Sequence, residues 1–242
     1  MLYAIHRESA APLRKPGDTV RISALFDDVN GCEKFAQRLL EFQPGSSQTR
    51  HEAADDEVLY VLAGHGELRV GAERTALGAG VGVYLRRGTV WSVSCEDPLE
   101  LLSVLVHAPA AGMAAYARVE LAAEGRRSAT ASRQFALGVG PGLGCPSVTQ
   151  FIGYIPPGRA PDHYHRYDEV IYLLAGSGML RAGGEEATLV AGVCVHLPAG
   201  RVHSLENSGP GEMELLGVFT PAGSPAEAYY PDGTPAAIPE ED

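Results

Sequence analysis

The chain has 242 residues, of which 45% are hydrophobic and 20% charged, and its 29 glycines and 17 prolines favour many turns and short strands over a helical bundle. The formal net charge of −11 disfavours a nucleic-acid partner, because a negative surface repels phosphate backbones. No apolar run is long enough to predict a membrane span, and the four cysteines are scattered without a C-x-x-C pair. We therefore expect a cytoplasmic protein with reduced thiols, without nucleic-acid or membrane partners.

An internal repeat organises the chain. When the sequence is shifted against itself so that residue 44 falls on residue 156, residues 44–110 overlie residues 156–222 without a gap. Identical pairs, among them Glu57 with Glu169, recur throughout this span. The repeat predicts a duplicated domain.

The predicted elements are short and extended. Whether residues 1–20 add a strand to a sheet edge stays open. In the second copy, apolar and β-branched runs begin at Glu169, Gly178, Ala187 and Val193 and end at Gly or Pro turns. This pattern is typical of an antiparallel sandwich or barrel.

The repeat and the turns together predict an all-β chain with four parts. They are an N-terminal barrel over residues 1–110, a linker with a short helix over 111–145, a C-terminal barrel over 146–225, and a loose acidic tail over 226–242. The helix is predicted from an Ala-rich stretch at 108–127, and the tail from its Pro-rich, acidic composition.

The second copy carries a set of metal-ligating residue types. His163 and His165 alternate along a predicted strand, so their side chains face the same side, and Glu169 lies an even number of positions later. His203 follows a Pro-x-Gly turn and is expected on a neighbouring strand. Three neutral imidazoles and one carboxylate suit Fe, Mn, Co, Ni, Cu or Zn, whereas Ca and Mg prefer oxygen ligands.

These residues resemble the two signature motifs of the cupin superfamily, which are small β-barrels. The first motif, G-x5-H-x-H-x3,4-E-x6-G, fits from His163 to Gly176, but its opening Gly158 lies one position too close. The second motif, G-x5-P-x-G-x2-H-x3-N, fits at every position from Gly192 to Asn207. The resemblance implies a bicupin, with two tandem jelly-roll-like antiparallel barrels and one divalent transition metal. By this resemblance the metal ligands are His163, His165, Glu169 and His203.

The first copy has lost part of this set. The gapless alignment pairs the ligand positions as His51 with His163, Ala53 with His165, Glu57 with Glu169, and Trp91 with His203. Two ligands hold a transition metal poorly against water, and a Trp would fill much of a barrel mouth. We predict a metal-free N-terminal barrel with a structural role; the alternative is a small organic-ligand pocket formed by His51, Glu57 and Trp91.

Four protein ligands on a six-coordinate metal leave two positions open. These suit a bidentate small-molecule substrate, or one substrate atom together with O₂. Because several bicupins are dioxygenases, the resemblance implies a dioxygenase acting on a small enolisable or phenolic compound. A non-oxidative isomerase, decarboxylase or aminohydrolase stays open, as does a non-catalytic protein that binds a metal or small ligand.

Two further features are left open by the sequence. Arg159, Arg166 and Arg181 are candidates for holding an anionic substrate, with a solvated surface position as the alternative for each. A homodimer is also open, because cupin barrels often pair and a bicupin satisfies that pairing internally.

Overall fold

The structure, a computed structural model, describes residues 3–236. Within this range the chain is built from twenty-two β-strands and four 3-10 turns, which confirms the all-β prediction. No helix in the same range is long and apolar enough to cross a membrane. The 3-10 turns are Arg7–Ser9, Asp28–Asn30, Leu121–Ala123 and Pro141–Leu143.

The strands are numbered in chain order. The first twelve are β1 (Tyr3–His6), β2 (Leu13–Arg14), β3 (Val20–Phe26), β4 (Phe35–Phe42), β5 (Gly45–Ser46), β6 (Asp56–Ala63), β7 (His65–Val70), β8 (Glu73–Gly78), β9 (Gly82–Leu85), β10 (Trp91–Cys95), β11 (Leu99–Val106) and β12 (Tyr116–Val119). The others are β13 (Arg127–Ser128), β14 (Gln134–Leu137), β15 (Thr149–Ile155), β16 (Gly158–Arg159), β17 (Asp168–Ala175), β18 (Ser177–Ala182), β19 (Glu185–Val190), β20 (Val193–Leu197), β21 (His203–Asn207) and β22 (Met213–Thr220).

The strands form two compact units of the same design. The first barrel comprises residues 7–123 and 139–147, and the described part of the second barrel comprises residues 3–6, 124–138 and 148–236. Each has one seven-stranded and one four-stranded sheet, and all the strand pairs are antiparallel. In the first barrel the orders are β12-β9-β6-β11-β4-β3-β2 and β5-β10-β7-β8. In the second they are β1-β20-β17-β22-β15-β14-β13 and β16-β21-β18-β19, so the predicted duplication is confirmed.

Each barrel encloses its own apolar core. Alternate residues of a strand point to the same side, so every second residue of the inward strands enters the core. The first core includes Leu40, Leu59, Leu68, Val83 and Leu99. The second core includes Ile171, Leu180, Val195, Met213 and Phe219.

The division of the chain differs from the predicted one. The predicted linker over 111–145 supplies β12 to the first barrel and β13 and β14 to the second, and among its described residues the helical structure is limited to two 3-10 turns. The reason is that β12 pairs with β9 along a sheet edge that would otherwise leave backbone groups unpaired.

The two ends of the described chain also differ from the prediction. Residues 3–6 belong to the second barrel, where β1 pairs with β20 and Tyr3 lies opposite His196. The tail predicted to be loose from residue 226 is hydrogen-bonded as far as Ala236, whose N–H donates to the Ala228 carbonyl over 2.8 Å. The rest of that predicted tail, residues 237–242, lies outside the described residues.

One glycine pair explains part of the internal repeat. A Cβ on Gly178 would lie 1.9 Å from the Glu206 carbonyl oxygen, and a Cβ on Gly66 would lie 2.7 Å from that of Ser94. Both glycines therefore allow a neighbouring backbone to approach too closely for any side chain.

The gapless alignment of the two copies is wrong around the site. His163 and His203 exchange backbone hydrogen bonds of 2.9 and 2.8 Å, and in the first barrel Arg50 and Trp91 exchange the equivalent pair of 2.8 and 2.9 Å. Arg50, rather than His51, therefore stands in the place of His163. Backbone pairing sets this register, and the His51–His163 identity is a coincidence of the shift.

The loop before the last long strand also differs in length between the two barrels. The loop between β10 and β11 spans residues 96–98, whereas the loop between β21 and β22 spans residues 208–212. In the longer loop the Asn207 side chain donates to the carbonyls of Ile155 (2.8 Å) and Gly211 (2.7 Å) and accepts from the Gly209 N–H (2.9 Å).

Candidate metal centre

Three imidazoles of the second barrel converge in one pocket. One ring nitrogen from each of His163, His165 and His203 lies within 4.8 Å of the other two. Their ring centroids are 4.5, 5.3 and 5.8 Å apart, and the residues are only 2, 8 and 4% exposed. The bridge between His163 and His203 joins the loop before β17 to the start of β21, which places these side chains together.

Backbone carbonyls fix the tautomer of each imidazole. A carbonyl oxygen only accepts hydrogen bonds, so a ring nitrogen facing one must carry the proton, and the other nitrogen of a neutral ring keeps its lone pair. The three donor–acceptor pairs are Nδ1 of His163 to Pro161 O (2.9 Å), Nδ1 of His165 to Glu227 O (2.8 Å), and Nδ1 of His203 to Arg201 O (2.9 Å). Every Nε2 is therefore unprotonated, which is the arrangement of histidines that bind a metal, and that of His163 has an Arg133 donor near it, at 3.4 Å.

Burial keeps the imidazoles neutral. It lowers the pKa of His163 to about 2, that of His165 to about 4 and that of His203 to about 3. Burial is the largest cause of these lowered pKa values, and the positive charge of Arg133 contributes to all three. A metal would therefore meet deprotonated ligands without displacing protons at neutral pH.

Glu169 lines the same pocket from β17 but lies outside the cluster of three ring nitrogens. Its side chain is buried, and burial raises the pKa of its carboxyl to about 8, while the Arg133 charge opposes this rise. The structure thus brings three of the four predicted ligands together and places the fourth in the same pocket. The ligand role of Glu169 stays a prediction.

The pocket is small and largely apolar. Its cavity has a volume of about 50 Å³, room for a few water-sized groups. The polar residues lining it, besides the three histidines and Glu169, are Arg133 and Gln134. Its apolar residues are Ala129, Phe135, Phe151, Gly153, Ile155, Leu205, Leu215, Phe219 and Pro225.

Arg133 is the polar pocket residue that the sequence analysis missed. Its Nε donates to the Thr130 carbonyl over 2.9 Å, and its Nη1 lies 3.4 Å from Nε2 of His163. Arg133 precedes His163 by thirty positions and belongs to no spacing pattern, so nothing in the sequence singled it out.

The three arginines proposed from the sequence lie elsewhere. None of them is among the residues that line the pocket. Arg159 forms an ion pair with Asp162 (2.9 Å), Arg166 lies over the Tyr229 ring at 4.1 Å, and Arg181 bonds to Glu186 and Glu206.

A segment after β22 supports His165. The Glu227 carbonyl accepts from His165, and the Glu227 carboxylate accepts from the Tyr167 hydroxyl. Burial and this hydrogen bond raise the pKa of Tyr167 to about 12, so its hydroxyl stays a donor. The Tyr167 ring lies 5.1 Å from Phe219 and 6.3 Å from His165, which limits the rotation of that imidazole.

The first barrel places a guanidinium beside its buried glutamate. Arg38 donates to Glu57 over 2.9 Å and to Glu52 over 3.0 Å, and the Ser103 hydroxyl donates to Glu57 over 2.5 Å. Burial raises the pKa of Glu57, and the Arg38 charge opposes the rise.

The residues proposed for an organic-ligand pocket in the first barrel are not brought together. His51 is exposed, whereas Glu57 and Trp91 are buried. Arg50 pairs with Asp18 and lies 5.8 and 5.9 Å from the rings of Phe42 and Trp91. Among the described residues of this barrel, no three metal-ligating side chains cluster.

The comparison with protein families agrees with the two barrels. Residues 38–105 and 151–219, together more than half of the chain, match the Cupin domain family. The chain belongs to the cupin family. This cupin carries the domain twice, once in each barrel, so the bicupin prediction is confirmed.

Curated relatives cover only part of this cupin. An oxalate-binding protein of Thermotoga maritima is 33% identical over 67 residues, which is 27% of this chain and 55% of that protein. The tetracenomycin polyketide synthase protein TcmJ of Streptomyces glaucescens is 29% identical over 97 residues, 38% of this chain and 65% of that protein. An uncharacterised Aquifex aeolicus protein is 30% identical over 77 residues, 32% of this chain and 63% of that protein. The chain thus spans less than two thirds of each relative.

Solved structures share the fold over nearly the whole chain. The YlbA protein of E. coli has a TM-score of 0.74 at 15% identity, covering 90% of both chains. A variant of Bacillus subtilis oxalate decarboxylase has a TM-score of 0.73 at 13% identity, covering 91% of this chain and 78% of the enzyme. AerE from Microcystis aeruginosa has a TM-score of 0.71 at 14% identity, covering 87% of this chain and 96% of that chain.

Proposed function

We propose that the second barrel binds one divalent transition metal and that this cupin is a dioxygenase acting on a small enolisable or phenolic compound. The observation that carries the proposal is the convergence of three neutral imidazoles, each with its Nδ1 proton held by a carbonyl and its Nε2 unprotonated. His163, His165 and His203 would hold the metal, with Glu169 as the fourth ligand.

The donor set fits a transition metal. Three nitrogens and one carboxylate oxygen suit Fe, Mn, Co, Ni, Cu or Zn. When bound, such a metal would supply Lewis-acid and, for a redox-active ion, redox chemistry. The chain's own contribution is to hold the ligands neutral, to position them through backbone carbonyls, and to surround them with apolar walls such as Phe151 and Phe219.

The pocket offers no separate proton-transfer base. Among the described lining residues other than the proposed ligands, the polar ones are Arg133 and Gln134, and neither a guanidinium nor an amide takes up a proton at neutral pH. An isomerase or aminohydrolase needs such a base, whereas oxidation of a substrate that binds as its anion does not. This argument favours the dioxygenase over those two non-oxidative alternatives.

A second candidate function is non-oxidative decarboxylation. It too needs no separate base, and it is supported by the fold shared with oxalate decarboxylase and by the relative named as an oxalate-binding protein. These likenesses are distant, so the direct measurement of oxygen uptake decides between the two.

The test is a pair of assays on protein purified without oxygen and loaded with Fe(II) or Mn(II). We expect oxygen uptake with members of a panel of catechols, 1,3-diketones and hydroxy acids, and none from the His163→Ala variant. CO₂ release from a carboxylic acid under argon would contradict the dioxygenase proposal and support the decarboxylase. A metal-loaded protein that turns over no compound in either assay would contradict both and favour a non-catalytic binding role.

A further inference from the structure

Arg133 is carried by an unusually tight turn. Strands β13 and β14 are joined through Thr130–Arg133, and the Ala129 N–H closes the turn by donating to the Arg133 carbonyl over 2.8 Å. The two central residues, Ala131 and Ser132, both have φ of 58°, a left-handed conformation that favours Gly or Asn. Such residues are strained by about 1–2 kcal/mol each, and strain of this kind persists where the rest of the structure fixes it, often beside a ligand site.

The turn directs the guanidinium into the pocket. Nε is occupied by the Thr130 carbonyl, so the side chain reaches the pocket through its two terminal nitrogens. One of them, Nη1, lies 3.4 Å from the lone pair of His163, which is long for a hydrogen bond between good partners. The fork of terminal N–H groups therefore still has donors for another acceptor.

The charges of the pocket require an anion. A divalent metal with one ionised glutamate leaves one positive charge, and Arg133 adds a second inside a largely apolar wall. Among the described lining residues, Glu169 is the only carboxylate. Positive charges held together in such surroundings are costly unless a counter-charge lies between them.

A carboxylate is the group that meets this requirement. Its two oxygens match the planar guanidinium fork, which a phenol or a neutral diketone does not. With about 50 Å³ available, the remainder of the molecule must be small and must supply its metal-binding oxygen close to the carboxylate. A 2-oxo acid or a compact dicarboxylate has this shape.

We infer that Arg133 forms a carboxylate subsite beside the metal ligands, and that the substrate of this pocket is a small carboxylic acid. The inference rests on the proposed metal centre and narrows its substrate to an anionic class. It differs from the sequence-based assignment of anion binding to Arg159, Arg166 or Arg181, which lie outside the pocket lining.

The test compares two chelating probes on protein loaded with cobalt(II), whose visible spectrum reports ligand binding. Oxalate carries carboxylates, and catechol chelates without one. In Arg133→Gln we expect oxalate affinity to fall roughly 10- to 100-fold, the loss of charge-assisted hydrogen bonds, while catechol affinity and cobalt content stay as in the wild type. The oxalate affinity of Arg133→Lys should lie between those of the wild type and Arg133→Gln, because lysine keeps the positive charge but lacks the planar pair of N–H donors.

Arg181→Gln is the matched control, because it removes one positive charge from the same barrel outside the pocket and should change neither affinity. Unchanged oxalate affinity in Arg133→Gln, or an equal loss of oxalate and catechol, would overturn the carboxylate subsite while leaving the metal centre intact. Wild-type protein that takes up no cobalt would overturn the metal centre, and with it the subsite, before any probe is added. Melting curves of all variants separate these results from misfolding.

Discussion

The two barrels bury a glutamate at the same place and neutralise it in different ways. Glu57 and Glu169 lie at the second residue of β6 and β17, and each faces the interior of its barrel. In the first barrel the counter-charge is Arg38, which is part of the chain. In the second barrel the interior holds three imidazoles, and Arg133 enters from a hairpin.

The register of the sheets shows which residues of the two barrels correspond to one another. In the first barrel Ser103 lies opposite both Leu59 and Arg38, and in the second Gly217 lies opposite both Ile171 and Phe151. Arg38 thus corresponds to Phe151, and an apolar ring lines the metal pocket where a guanidinium fills the other barrel. The comparison teaches that the first barrel supplies a side-chain cation to its buried glutamate, whereas in the second barrel the proposed metal would take that part.

The largest effect is expected from breaking the built-in ion pair. Arg38→Met should lower the free energy of unfolding of the first barrel by about 3–5 kcal/mol, because it leaves Glu57 buried without its partner. Urea denaturation measures the loss, and cobalt binding by the second barrel should not change. Adding Glu57→Gln to the same variant should recover most of the stability; a single variant as stable as the wild type would show that Arg38 does not neutralise Glu57.

The second prediction tests which residue of the first barrel corresponds to His163. His163→Ala should weaken cobalt binding by more than about 100-fold, since disturbing partners of metal ligands already costs about 10- to 100-fold. His51→Ala is the control, because His51 is exposed and Arg50 stands in the place of His163. Metal titration followed by visible absorbance measures both. Equal losses of cobalt affinity in the two variants would support the gapless alignment, in which His51 corresponds to His163.

The metal-free second barrel should lose stability in acid. The three imidazoles have folded-state pKa values of about 2, 4 and 3, below the ordinary 6.5, so protons bind the unfolded chain first. Stability present above pH 6.5 is therefore lost as the pH falls, by about 1.4 kcal/mol per pH unit for each imidazole. Glu169 acts in the opposite sense: with its pKa raised from 4.5 to about 8, it disfavours folding as the pH rises through that range.

These two trends place maximum stability of the metal-free barrel near pH 6.5. Urea unfolding in the presence of a chelator at pH 5, 6, 7 and 8 measures the profile. His163→Gln should reduce the acid slope by about half, because the three imidazoles and the opposing Glu169 give a net slope of about 2.8 kcal/mol per pH unit and each imidazole supplies about 1.4 of it. Stability that increases from pH 6.5 to pH 5 would contradict the neutral state of the three histidines.

The smallest effect concerns the unequal loops. Asn207→Ala should cost about 1–2 kcal/mol, because the buried carbonyl of Ile155 loses its donor and the bond to the Gly211 carbonyl is lost as well. The equivalent Cys95→Ala in the first barrel should cost less, because its thiol makes one weak contact with the Gln43 carbonyl at 3.4 Å. Urea denaturation of both variants checks the order, and equal costs would remove the role assigned to Asn207.

The sequence predicts the architecture well because its signals are local. Glycines such as Gly66 near the start of β7 and Gly178 near the start of β18 are required by the close approach of a neighbouring backbone and therefore appear in both copies. His163, His165 and His203 were found because their spacing in the sequence matches the two motifs, although His163 and His165 lie in the loop before β17 rather than on the predicted strand.

The remaining features depend on pairing between distant segments. The role of Arg133 depends on a hairpin that reaches the pocket from outside the motifs, and that of Arg38 on the register of β4 against β11. The alignment of His51 with His163 failed because residue identity does not record a one-residue shift in backbone pairing. The linker was mistaken for a separate segment because short edge strands form only where a sheet offers unpaired groups.

The strand β1 links completion of the second barrel to the order of synthesis. Its residues 3–6 leave the ribosome before any other described strand, yet they pair with β20, whose neighbour β17 carries Glu169. Contacts between segments so far apart in the chain form slowly. A large fusion partner placed directly before residue 3 would therefore hinder the pairing of β1 with β20 during folding. A tag placed after the described residues is the safer choice for expression.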